Sequence, residues 1–174
     1  MTPEQRSLIS MLIGGPGPEK PIATDEFLRR IGESDGSELG LELLRDAVER
    51  RDADDVFYSM VLPAVFGLKP EYLDLLLELE HADWHYRHED VVSLLADFRS
   101  PSTIDALYHA TQWVPEYLDY DDARALAVKA IWGLGAIRGD EAAGVLQRLL
   151  DSEVEVIREN AAHQLARRAF IDNA

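Results

Sequence analysis

The chain has no cysteine among its 174 residues. Disulfides, thiolate metal sites and a cysteine nucleophile are therefore excluded, and the composition fits a reducing compartment. Positive charge is also scarce: 17 lysines and arginines stand against 33 aspartates and glutamates, a net charge of −16. The deficit is deepest over 69–122, which holds 3 basic and 13 acidic residues. Phosphate contacts rely on lysine and arginine, so nucleic-acid binding is disfavoured, including the kind used by base-excising enzymes on helical scaffolds. No apolar run approaches the roughly 20 residues that cross a bilayer. The opening "MTPEQRSLISMLIGG" lacks the basic segment and small-residue cleavage site of a secretion signal, and the expectation is a cytoplasmic protein without membrane contact. Neither the phosphate-cradling "G-x-x-x-x-G-K-[ST]" pattern nor a "G-x-S-x-G" nucleophile elbow occurs. Strand alternation with hairpin punctuation is missing as well.

What remains is helical. Apolar residues make up 47% and charged residues 29%, the profile of a folded protein. The spacing predicts helices over 3–13, from Thr24 or Asp25 to Gly32, over 37–51, over 53–67 with Pro63 kinking or ending it, and over 69–80 with Pro70 in its first turn. The cluster "GGPGPEKP" at 14–21 reads as a breaker. Adjacent carboxylates at Asp54-Asp55 and Asp121-Asp122 read as helix-start residues rather than an acid–base pair. Helices of this length joined by short turns imply an all-α array or bundle.

The second half narrows the choice. In "ALAVKAIWGLGAIRGDEAAGVLQRLLDSEVEVIRENAAHQLARR", Ala130, Gly133, Leu134, Gly135 and Ile137 form a small-residue helix. Gly139-Asp140 supplies a turn; Ala142, Val145, Leu146, Leu149 and Leu150 form an outer helix. Asp151, Val154, Ile157, Arg158, Ala161, Ala162 and Leu165 then repeat the first pattern, with Leu165 lying 31 residues after Leu134. This stretch resembles the HEAT-repeat family, in its short bacterial, phycobilisome-lyase-like form, over residues 84–170. The resemblance implies an α-solenoid of antiparallel helix pairs, in which small residues let neighbouring helices approach and no repeat buries its face alone. Residues 1–68 would form a divergent helical N-terminal cap and 69–174 the HEAT-like repeats, in one continuous domain. Leu94, 40 residues before Leu134, implies an insertion around 111–120.

Three of the five histidines fall within "HADWHYRHEDVV". A helix from Trp84 to Phe98, capped by Asp83, puts Trp84, His88, Val91, Leu95 and Phe98 on one buried stripe, with His85 and Glu89 on a neighbouring face. Arg87-His88-Glu89 resembles the "R-H-E" motif of deoxyhypusine hydroxylase. The equivalent positions in later repeats are Val128-Lys129 and Glu159-Asn160, so a di-iron site of that type is not built. The cluster reads as structural, without a cofactor; the alternative is a zinc or iron site on His81, His85, His88 and Glu89, in a metal-dependent enzyme or lyase accessory. His109, His163 and Trp132 read as packing residues.

The inserted stretch places Trp113, Tyr117 and Tyr120 beside Glu116, Asp119, Asp121 and Asp122. Aromatics among carboxylates suit a protein interface for a basic partner. The sequence thus predicts a monomeric, non-enzymatic protein-binding scaffold, of the kind in which a bacterial immunity protein inhibits a basic toxin.

Overall fold

The computed structural model describes residues 1–14 and 20–172, with side chains as far as 170. Most of the predicted breaker segment at 14–21 lies outside the described residues. Among the described residues every regular element is helical, and ten α-helices follow one another. They are α1 (Pro3–Leu12), α2 (Thr24–Ile31), α3 (Gly36–Arg50), α4 (Ala53–Phe66), α5 (Leu73–Glu80), α6 (His88–Asp97), α7 (Ile104–Gln112), α8 (Ala125–Ala136), α9 (Asp140–Leu149) and α10 (Glu155–Asp172). No helix among them is long and apolar enough to cross a membrane. The chain divides into two compact units: Met1–Leu75 with Trp84–Arg87, and Leu76–Asp83 with His88 onward.

In the first unit, α1 opens with a capping box in which Thr2 Oγ1 accepts from Gln5 N–H and Gln5 Oε1 from Thr2 N–H. The N-cap expected for α2, Thr24 or Asp25, is not used. Ala23 occupies the N-cap without a side-chain bond, and Gly32 closes the helix at φ 80°, where glycine escapes the Cβ penalty. Pro63 does not break α4; it sits in the last turn, and the helix ends three residues later at Phe66. The two-residue link Arg51-Asp52 folds α4 back along α3. A Cβ on Gly40 would lie 2.7 Å from Leu62 Cβ, so hydrogen at that position lets the two backbones meet. Ile9, Phe27, Leu39, Val61 and Leu62 form the core beneath them. At its edge Asp55, fully buried, accepts hydrogen bonds from Arg6 Nε at 2.7 Å, from the Met1 amino group at 2.8 Å and from Arg50.

The second unit is organised by α8, on which α6, α7, α9 and α10 all pack. Its sequence "ALAVKAIWGLGA" is apolar nearly all round, as a central helix must be. Leu126, Ala127, Ala130, Ile131, Gly133 and Leu134 are buried, and each buried leucine or isoleucine contributes about 1.5–3 kcal/mol. A Cβ on Gly133 would stand 2.7 Å from Ala96 Cβ and 3.2 Å from Leu107 Cδ1, so the glycine fixes the approach of α8 to α6 and α7. Gly139, at φ 101°, makes the turn into α9, and Arg168 of α10 donates to the carbonyls of Ile137 and Gly139.

Candidate functional site: a histidine cluster beneath an acidic loop

The expected helix from Trp84 to Phe98 starts only at His88. Trp84–Arg87 are irregular, and Asp83, five residues before the helix begins, does not cap it. The start is set instead from 29 residues away: His88 N–H, one of the donors that a helix N-terminus leaves unpaired, donates to Tyr117 Oη at 3.1 Å. His88 is buried as its place on the apolar stripe demands. Its Nε2 lies 2.7 Å from the Ala82 carbonyl and its Nδ1 3.1 Å from Tyr117 Oη. A carbonyl only accepts, so Nε2 carries a proton; Nδ1 then accepts from the tyrosine hydroxyl. Both ring nitrogens are thus engaged by the protein.

The other sequence candidates separate in the same way. His85 belongs to the first unit, fully buried, with Nδ1 accepting from Arg87 N–H at 3.1 Å. Because Trp84–Arg87 is not helical, the i, i+4 pairing of His85 with Glu89 does not form. Glu89 is paired instead with Lys129 of α8, its Oε2 lying 3.0 Å from Nζ. Of His81, His85, His88 and Glu89, only His81 joins a group with the ligand spacing of a metal centre. Among the described residues that group is Glu80, His81 and His109, with one ligand atom from each lying within 4.8 Å of the others.

Glu80 ends α5, His81 follows it, and His109 comes from the last turn of α7. The Glu80 carboxylate is 1% exposed. His109 Nδ1 lies 2.8 Å from its Oε1, and His81 Nδ1 stands 3.3 Å from its Oε2. The second contact lacks hydrogen-bond geometry, leaving Oε2 without a hydrogen-bond partner. The imidazole rings of His81 and His109 are 4.4 Å apart. Glu80 lies one position before the histidine-rich stretch, and His109 has the sequence context of any histidine on an amphipathic helix. The Glu80-His81 dipeptide was a local signal, but nothing local pointed to residue 109.

The loop 113–124 packs against His88 and His109. Trp113 stacks on His109 at 5.5 Å and meets His88 edge-on at 4.9 Å. Tyr117 stacks on His88 at 5.7 Å, and Leu118 is buried. The seven residues expected to form a binding surface therefore fall into three groups. Trp113 and Tyr117 face inward. Asp121 serves α8, its carboxylate accepting from Ala123 N–H at 3.1 Å and Ala125 N–H at 2.6 Å. Glu116, Asp119, Tyr120 and Asp122 are exposed, Tyr120 to 81%.

Arg99, Arg138, Arg167 and Arg168, with Asp140, are among the residues that line a cavity of about 710 Å3. Arg168 is already committed to backbone carbonyls there. Comparison with protein-family models, curated proteins and solved structures returns no match.

Proposed function

We propose that this chain is a non-enzymatic protein-binding scaffold that docks a basic partner through its 116–122 loop, in the manner of an immunity-type inhibitor. The observation that carries this reading is Tyr120. A large aromatic side chain lies 81% exposed between exposed Asp119 and Asp122, on a loop braced from below by Trp113, Tyr117 and Leu118. Bracing lowers the ordering cost of association, and the flanking carboxylates attract a basic surface over long range. An aromatic with a polar tip is a favoured anchor at such interfaces.

The helical-repeat part of the reading rests on α8 and the helices packed on it. The small-residue seam at Ala130 and Gly133 admits neighbouring helices, as the HEAT-like pattern requires. A solenoid of this kind offers an extended face for a macromolecular partner.

The test is affinity capture with the full chain from a bacterial lysate, beside a variant carrying Glu116→Gln, Asp119→Asn, Tyr120→Ala and Asp122→Asn. A basic protein enriched at low salt, released at high salt and missed by the variant supports the proposal. Equal capture by the variant, or no basic protein at low ionic strength, overturns it.

A further inference from the structure

We infer that Glu80, His81 and His109 form a binding site for one divalent transition-metal ion of the zinc class. Two imidazoles and one carboxylate make a three-ligand set that leaves a fourth tetrahedral position for water. The spacing suits such an ion. Bonds of about 2.0–2.1 Å to a tetrahedral zinc place neighbouring ligand atoms about 3.3–3.4 Å apart. His81 Nδ1 and Glu80 Oε2 are 3.3 Å apart, and one ligand atom from each of the three residues lies within 4.8 Å of the others.

A second observation is independent of the ligand inventory. Glu80 is 1% exposed, yet Oε2 has no hydrogen-bond partner. An ionised carboxylate buried with one oxygen unsatisfied is costly, and buried charges in folded proteins are paired or coordinate metals. Pairing with His109 through Oε1 satisfies half of the group. A dication held through Oε2 supplies the partner that this oxygen lacks.

The surroundings favour capture and retention. Side-chain exposures of 59% for His81 and 38% for His109 give an ion a path from solvent. Stacking of Trp113 against the His109 ring, at 5.5 Å, holds that imidazole in place, as outer-shell contacts do in metal centres. On binding, the proton shared between His109 Nδ1 and Glu80 Oε1 is released to solvent, and Nδ1 turns to the ion. His88, with both ring nitrogens engaged, stays outside the set.

The test is Co2+ titration of the full, tag-free chain, followed by visible absorption, with Zn2+ as competitor. Saturation at one Co2+ per chain with a tetrahedral spectrum, abolished by Zn2+, is the expected result. His81→Ala, at an exposed position that folding does not depend on, should weaken binding at least about 10-fold, a loss that even outer-shell changes produce. Glu80→Gln and His109→Ala should abolish the spectrum, and His163→Ala should leave it unchanged. Absence of a saturable spectrum in the wild-type chain, or affinity untouched by His81→Ala, overturns the assignment.

Discussion

His109 Nδ1 lies 2.8 Å from Glu80 Oε1, joining the end of α5 to the last turn of α7. Through that contact the deepest carboxylate of the second unit gains its one hydrogen-bonded neighbour. In chelated, metal-free protein, His109→Ala should lower stability by about 2–3 kcal/mol, because it strands a buried charge. His81→Ala should cost under about 1 kcal/mol, since its ring is 59% exposed. Urea unfolding of the two variants separates these outcomes, and equal losses would contradict the assigned burial.

Tyr117 both fastens the acidic loop and caps α6. Tyr117→Phe removes the hydroxyl that accepts from His88 N–H and faces His88 Nδ1. The expected cost is about 1–3 kcal/mol, the penalty of stranding buried polar groups. Amide hydrogen exchange should accelerate at the start of α6 and across 113–121. Tyr120→Ala, on the exposed side of the same loop, should change stability by less than about 0.5 kcal/mol.

Two glycines of the second unit should respond oppositely to added bulk. Gly133→Val drives a side chain into Ala96 and Leu107 and should cost about 1–3 kcal/mol or more. Gly144, within α9, has nothing within 4 Å of its Cβ position, so Gly144→Ala should stabilise by about 0.5–1 kcal/mol through helix propensity. Thermal melts of both variants check the pair.

Acid should release the Asp55 cluster. Burial alone would push this carboxyl upward, but hydrogen bonds from Arg6, the Met1 amino group and Arg50 outweigh it and hold it at about 2, below the ordinary 3.8. The folded state thus binds its proton later than the unfolded chain. The stabilisation is complete above the unfolded carboxyl range near pH 4 and disappears as pH falls through about 2. It amounts to about 2–3 kcal/mol. Asp55→Asn should remove that amount at neutral pH and flatten the acid-unfolding profile between about pH 4 and 2.

The sequence made the all-helical class legible because helical spacing is a local property. Leu39, Leu44 and Ala47 of α3, or Val91 and Leu95 of α6, recur at intervals that put them on one face whatever lies opposite. The burial of His88 follows from the same stripe. Asp121 as a helix-start residue was equally readable, since its carboxylate reaches amides two and four positions on. Other boundaries were not: α6 begins at His88 because Tyr117 meets it there, and no property of Asp83 or Trp84 reveals that.

Residue order alone determined an acidic, cysteine-free chain of short helices, a central small-residue helix and an aromatic loop rich in carboxylates. Packing decided which ionisable groups became neighbours. It sent His85, His88 and Glu89 to separate partners and brought Glu80 and His81 to His109, 28 or more residues along the chain. Helix periodicity acts over a few positions, whereas these pairings exist only once α5, α7 and the loop after α7 have found their places.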